Sequence, residues 1–128
     1  MKCDINKNEC IACNEGYKLL NGKCFYYSFK AIYNTTSINE SIYLINSDYV
    51  NNITNMIIDG NETKPGFKYI FPKPGYHKVF FFFNINKNSS TLNRMFYSIN
   101  NLVEISFTSN FNTQNIISMS YMFYECQN

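Results

Sequence analysis

Residues 77–85 read HKVFFFFNI, and this stretch is the strongest indication of the fold in the sequence. Its apolar run from Val79 to Phe83 has the length of one β-strand and is far too short to span a membrane. Side chains of a strand alternate between the two faces of a sheet, so four consecutive phenylalanines place rings on both faces. We therefore predict a strand buried on both faces, with a second layer covering the face away from the main core, because such a strand aggregates when exposed.

Four further short strands are predicted around this one. Phe25, Tyr27, Phe29, Ala31 and Tyr33 alternate with a second set of residues, a period of two that is typical of a strand. Another predicted strand ends at Asp59-Gly60, a strong hairpin-turn dipeptide. Without helical periodicity, these signals predict a small antiparallel sheet or sandwich domain over residues 25–86. The predicted strands are residues 25–34, 41–46, 53–59, 67–71 and 77–85.

The string YIFPKPGYHKVFFF resembles the strand–turn–strand ending of Ig-like surface modules, F-x-x-x-G-x-[YH]-x-V. The matching positions are Phe71, Gly75, Tyr76 or His77, and Val79, with His77 shifted by one. His77 is the only histidine of the chain. It could serve a metal or catalytic site, or it could simply follow a turn with its polar edge facing water. We favour the second interpretation.

The first 24 residues contain Cys3, Cys10, Cys13 and Cys24. A segment this short and polar cannot build its own hydrophobic core, and such segments usually need disulfides or a metal. A zinc site could use the Cys10-x-x-Cys13 pair with the other two cysteines, but zinc ribbons carry a second close pair that is missing here. Four cysteines allow three connectivities, and all three remain open at this point. We predict a disulfide-stapled head over residues 1–24.

The string C-x-x-C-x-x-G-Y-x-L-x-x-G-x-C resembles the EGF-like and furin-like cysteine-rich modules of extracellular proteins. This resemblance covers Cys3 to Cys24 and implies that the Gly-Tyr pair lies in a turn between bridged cysteines. It favours the pairings Cys3–Cys10 and Cys13–Cys24. It also implies an oxidising compartment, so we expect the protein to be extracellular or on the cell surface.

The last third of the chain repeats itself. Residues 91–101 (TLNRMFYSINN) recur 27 residues later as residues 118–128 (SMSYMFYECQN), and the intervening LVEISFTSN fits the pattern L-x-x-L-x-L-x-x-N. A fixed period of this length indicates a solenoid, whose coils would each contain one strand and one helical turn. Residues 87–128 are therefore predicted to begin such a solenoid. Its predicted core is Leu92, Met95, Phe96, Leu102, Ile105, Phe107, Phe111, Met119, Met122, Phe123 and Cys126, the last a buried thiol.

The strings LNRMF and LVEISFTSNFNTQNIISMSYMFYEC resemble the BspA-type leucine-rich repeats of bacterial and protist surface proteins. The chain departs from the family pattern by one extra residue around residues 108–110. The resemblance implies a secreted or surface protein that adheres to a protein or glycan partner. Binding would then fall to the outward side chains Val103, Glu104 and Ser106. Because the second copy stops just before its next strand, we expect a longer binding surface in the whole protein.

Composition narrows the possible functions. The formal net charge is +2 and the basic residues are scattered, so nucleic-acid binding is not predicted. The nine acidic residues are dispersed, and no catalytic, cofactor-binding or metal-ligating residue is predicted. Together these features predict a mainly β, non-catalytic adhesion or recognition module, with the ectodomain of a signalling receptor as the alternative. Candidate N-glycosylation sequons lie at Asn34, Asn39, Asn52, Asn61 and Asn88, which places these residues at the surface.

Overall fold

The computed structural model describes residues 2–4, 9–13, 16–20, 22–84 and 92–108, with residues 2–4 and 9–12 as backbone alone. This part of the chain is mainly β with antiparallel pairing, as predicted. It contains no helix long and apolar enough to cross a membrane. The strands are β1 (Lys2–Asp4), β2 (Glu9–Ala12), β3 (Tyr17–Leu20), β4 (Lys23–Tyr26), β5 (Phe29–Thr35), β6 (Glu40–Tyr43), β7 (Ile53–Ile58), β8 (Asn61–Thr63), β9 (Lys68–Phe71), β10 (Gly75–Phe83) and β11 (Leu102–Phe107), with a 3₁₀ helix over Ser47–Asn52.

Strand β10, which carries the four phenylalanines, is the central strand of a five-stranded sheet. The strand order is β11-β5-β10-β7-β8, and every neighbouring pair is antiparallel. In this register Val79 lies opposite Ala31 of β5 on one side and opposite Ile58 of β7 on the other. The most apolar strand therefore has hydrogen-bonded partners along both edges, which removes the aggregation hazard of an exposed edge.

Both faces of β10 are buried, which confirms the prediction from the phenylalanine run. Val79 and Phe81 belong to the main core. Phe80 and Phe82 are only 8% and 6% exposed and belong to a second apolar cluster on the opposite face. Each buried phenylalanine side chain contributes roughly 1.5–3 kcal/mol of hydrophobic stabilisation.

The layer on the second face is the hairpin formed by β3 and β4. Leu20 of β3 is buried against Phe80 and Phe82. Tyr27, which follows β4, meets the Phe80 ring edge-on with the centroids 4.8 Å apart. The ammonium of Lys18 lies 4.2 Å above the centre of the same ring. The cysteine-rich head is thus the cover that the apolar strand requires.

The main core lies on the other face, between the sheet and a layer made of the β6–β9 pair, the 3₁₀ helix and residues 92–99. Buried tyrosines in this core have hydrogen-bonded hydroxyls. The Tyr33 hydroxyl donates to the Leu44 carbonyl at 2.6 Å, and the Tyr49 hydroxyl donates to the Asn93 carbonyl at 2.6 Å. These bonds hold the second layer against the sheet, because separating the layers would leave buried hydroxyls without a partner, which is energetically unfavourable.

Residues 92–99 form a series of tight turns in place of the predicted helical turn. Backbone N–H groups bond to carbonyls three residues earlier, from Met95 to Leu92 and from Ile99 to Phe96. The prediction of a helix is wrong because Arg94 and Ser98 adopt positive φ angles of 58° and 57°, which interrupt a right-handed helix. The predicted burial holds for Leu92, Met95, Phe96 and Leu102, which are in the main core.

Strand β11, predicted to be the first strand of a solenoid, is the edge strand of the central sheet. It pairs antiparallel with β5, so that Ile105 lies opposite Ala31 and Phe107 opposite Phe29. The described residues 92–107 thus share a sheet and a core with residues 29–83. Phe107 departs from the predicted core set, since it lies at the sheet edge and remains exposed. Phe111, Met119, Met122, Phe123 and Cys126 lie outside the described residues.

The head contains the disulfide Cys13–Cys24, with Cα atoms 5.7 Å apart. This is one of the two pairings that the EGF-like resemblance favours. The backbone register of β1 and β2 places Cys3 opposite Cys10, and the side chains of these two residues lie outside the described part of the chain. The disulfide joins the residue just after β2 to β4, and so ties the covering hairpin to the start of the chain.

Two local predictions have opposite outcomes. The Asp59-Gly60 turn is confirmed, since both residues have positive φ and Ile58 lies opposite Asn61 across a two-residue loop. The single strand predicted over residues 25–34 is wrong. The chain leaves the hairpin layer after Tyr26 and enters the central sheet at Phe29, where the Ser28 N–H donates to the Phe81 carbonyl at 2.8 Å.

The carboxylate of Glu40 connects the start of β6 with the start of β11. It accepts hydrogen bonds from the backbone N–H groups of Thr36 and Ser37 at 2.9 and 3.0 Å and from the Asn101 amide at 3.1 Å. These hydrogen bonds lower the pKa of Glu40 below its ordinary value, and the bond from the Thr36 N–H has the largest effect. A carboxylate whose pKa is lower in the folded state stabilises the fold above its unfolded pKa, and this contribution is lost as the pH falls through the folded pKa.

Replacing Glu40 by Gln should therefore lower the melting temperature by a constant amount above about pH 5, and the difference should shrink as the pH falls below that. Thermal melts of both proteins across the acid range measure this difference. Glu104→Gln is the matched control, because the Glu104 side chain is exposed and makes no hydrogen bond to a described residue. A Glu40→Gln difference that persisted unchanged at the lowest pH would contradict the role of the ionised carboxylate.

Candidate functional site

A cleft of about 460 Å³ opens where the head hairpin meets one end of the central sheet. Its walls come from two layers that are far apart in sequence, the head on one side and strands β7 and β10 on the other. The lining residues are Leu20, Phe25, Tyr26, Ser28, Thr54, Asn55, Phe82, Phe83 and Asn84. We call this the hairpin cleft.

The exposed wall of the hairpin cleft is formed by Phe25 and Tyr26 of β4. Both rings are about half exposed, although they are large and aromatic. Pairing with β3 places Tyr26 opposite Tyr17, and the two rings lie 3.9 Å apart. A hydrogen bond between the two phenols, together with partial burial, raises the pKa of Tyr17. Tyr26 is therefore held in position from behind while its other side remains open to solvent.

The floor of the cleft is built from β10 and its neighbours, with hydroxyl groups bonded to the backbone. Ser28 Oγ accepts from the Phe83 N–H at 2.8 Å, and Thr54 Oγ1 donates to the Phe82 carbonyl at 3.1 Å. The Asn55 side chain is exposed and makes no hydrogen bond to a described residue. Asn55 thus presents an amide with both a donor and an acceptor to anything that enters the cleft.

The chemistry of the hairpin cleft is aromatic and uncharged. Among the described residues that line it, none is charged at neutral pH. Rings offer flat apolar surfaces, and amides and hydroxyls offer directional hydrogen bonds. Such a combination suits a ligand with both C–H faces and hydroxyl groups.

A second, smaller groove of about 300 Å³ lies on the opposite layer, beside the 3₁₀ helix. Tyr43 and Tyr97 flank it, with Asn46, Ser47 and Ser98 between them. The Asn46 amide is already engaged, because its Nδ2 donates to the Arg94 carbonyl at 3.1 Å and its Oδ1 accepts from the Asp48 N–H at 3.0 Å. The amide of this groove is therefore engaged within the protein, unlike that of Asn55 in the hairpin cleft.

His77 lies away from both grooves and holds the β9–β10 loop. Its Nδ1 is 2.7 Å from an Asp59 oxygen, and its Nε2 is 2.9 Å from the Lys73 carbonyl and 3.1 Å from the Thr35 hydroxyl. The ring is buried and stacks on Phe71 at 4.1 Å. The expectation of a polar edge facing water is therefore wrong, since every polar atom of the ring is bonded inside the protein.

The order Asp59–His77–Thr35 follows the order of a hydrolase triad, but this geometry cannot act on a substrate. Thr35 is only 2% exposed, and its hydroxyl donates to the Lys73 carbonyl at 3.2 Å. A nucleophile must reach a substrate, and this one is enclosed. The network is structural, and within the described residues no group of three or more His, Cys, Asp or Glu side chains is arranged to hold a metal.

Most of the residues predicted to carry binding or glycosylation are at least partly exposed, whereas Asn52 is buried. Val103, Glu104 and Ser106 are exposed on the edge strand β11, away from the hairpin cleft. Asn39 and Asn61 are exposed and Asn34 is partly exposed, while Asn88 lies outside the described residues. Asn52 is buried, and its Nδ2 donates to the Asn84 carbonyl at 2.8 Å, so its predicted surface position is wrong.

Sequence reasoning missed every residue of the hairpin cleft as a site residue. The available signal was the run Phe25-Tyr26-Tyr27 directly after Cys24, three aromatic residues in a segment too short to bury them.

Comparisons of the chain with protein-family models, with curated proteins and with solved structures find no match.

Proposed function

We propose that the chain is a non-catalytic recognition module of an extracellular protein, and that it binds the sugar rings of a glycan in the hairpin cleft. The observation that carries this proposal is the half-exposed pair Phe25 and Tyr26 beside the uncharged polar groups of the same cleft. Contiguous exposed apolar surface rimmed by polar groups is typical of interaction sites and ligand-binding grooves. The C–H face of a sugar packs on a ring, while its hydroxyls need groups such as the Asn55 amide.

The disulfide supports the extracellular part of this proposal, because such bonds persist in oxidising compartments. The described residues that line the cleft carry no charge, which favours a sugar ring over a charged metabolite as the group that enters it. The enclosed His77 network supports a role in binding without catalysis.

The test begins with an array of immobilised glycans, from which the strongest binder is taken into calorimetric titration. Replacing Tyr26 by Ala should weaken that binding roughly five- to thirtyfold, the range typical of an aromatic residue at the centre of a binding site. The matched control is Tyr43→Ala, because Tyr26 and Tyr43 are 53% and 54% exposed and lie at different grooves. Equal or greater loss in Tyr43→Ala, or no glycan binding at all, would overturn the proposal.

A further inference from the structure

Three lysines gather on the face of the sheet that the head partly covers. Lys30 of β5 lies directly opposite Phe80 of β10, and Lys78 precedes Phe80 by two residues on the same face. Diagonal neighbours of this kind in an antiparallel sheet are about 7–8 Å apart. Lys18 of the head hairpin places its ammonium 4.2 Å above the Phe80 ring. We call this set the lysine face.

The lysine face carries three positive charges on one side of the sheet. Within the described part of the chain, none of the three ammonium groups forms an ion pair, whereas Asp59 is paired with His77. Partial burial first, and then the charges of Lys78 and Lys30, lower the pKa of Lys18. The Lys18 ammonium is therefore close enough to Lys78 and Lys30 to be repelled by their charges. Glu104, opposite Ile32 on β11, is the acidic residue that the pairing brings nearest to Lys30.

The lysine face adjoins the hairpin cleft. Leu20 lines the cleft and packs on Phe80, the ring that lies beneath the Lys18 ammonium. Phe82, two residues along the same face of β10, forms part of the cleft floor. An extended ligand can therefore place neutral groups in the cleft and negative groups on the lysines.

We propose that the glycan bound by this module is acidic, with sulfate or carboxylate groups on the lysine face and sugar rings in the hairpin cleft. This inference rests on the proposed function. An anionic group between the lysines would relieve their mutual repulsion, and a surface ammonium paired with an anion contributes a modest, salt-dependent share of the affinity. A linear glycan provides what the two adjoining surfaces require, which is a ring and a charge within one repeating unit.

The experiment compares three fluorescent dextrans of equal length, one sulfated, one carboxymethylated and one unmodified, by fluorescence anisotropy. Lys30→Gln and Lys78→Gln should each weaken binding of the charged dextrans roughly two- to fivefold at low salt. The dependence of log affinity on log salt concentration should become less steep by about one for each lysine removed, as released counter-ions require. The two charged dextrans separate sulfate from carboxylate as the preferred anion.

Lys73→Gln is the matched control, since it removes the same charge from the β9–β10 loop, outside the lysine face. Equal weakening by Lys73→Gln, or no weakening by the other two, would overturn the inference, as would equally tight binding of polyglutamate of the same charge. Weakening by Tyr26→Ala alone leaves glycan recognition in place and overturns only the acidic assignment. Weakening by the lysine variants alone overturns the role of the hairpin cleft.

Discussion

Replacing Phe81 by Ala should lower the free energy of unfolding by about 3–5 kcal/mol, the largest effect we expect from any single substitution in the chain. Phe81 has no exposed surface and lies on the central strand, with β5 on one side and β7 on the other. Its ring stacks on Phe29 with the centroids 4.8 Å apart. The substitution would leave a cavity that strands fixed on both sides cannot close.

Urea titration of the native and substituted proteins measures this loss, since unfolding free energy falls linearly with urea concentration. Phe25→Ala is the matched control, because it removes the same ring from a position that is 46% exposed. We expect a loss of about 1 kcal/mol or less there. Comparable losses at both positions would contradict the two-sided burial of β10.

Removing the Cys13–Cys24 disulfide should have the next largest effect. Replacing both cysteines by serine should reduce the unfolding free energy by about 3 kcal/mol, the value expected for a loop of roughly this length. The two cysteines are 11 residues apart, and their bond holds the hairpin that covers Phe80 and Phe82. Without the bond, the hairpin should separate from the sheet more often and expose both rings.

Two measurements follow this change, urea titration for stability and binding of anilinonaphthalene sulfonate for exposed apolar surface. Dye fluorescence should rise before the main unfolding transition in the double variant. Leu19→Ser is the control, because Leu19 lies opposite Cys24 in the same hairpin and is already largely exposed. If the double variant matched the native protein in both measurements, the disulfide could not be what holds the hairpin against the second face.

The same double variant bears on function, because the hairpin provides Phe25 and Tyr26 to the cleft. A hairpin that separates from the sheet destroys the cleft even while the central sheet remains folded. We therefore expect the proposed glycan binding to depend on the Cys13–Cys24 disulfide.

Much of the central sheet could be predicted from local patterns. The phenylalanine run predicted a strand buried on both faces, the period of two predicted a strand through Phe29, Ala31 and Tyr33, and Asp59-Gly60 predicted its turn. These features depend on local patterns, such as the alternation of side chains along a strand and a glycine at positive φ. They can therefore be predicted before the fold is known. The prediction of a helical turn at residues 92–96 was wrong because the spacing of buried residues in consecutive turns imitates that of a helix.

Local patterns in the sequence were thus enough to predict a β-rich chain, a layer on each face of β10 and a crosslink in the head. The folded chain was needed to show which segment forms each layer, that β11 pairs with β5 at the edge of the sheet, and that His77 is enclosed by Asp59, Lys73 and Thr35. This difference arises because the tendency to be buried belongs to each residue, whereas the residues that bury it lie dozens of positions away. The hairpin cleft and the lysine face arise from such distant pairings, so neither can be read from the chain alone.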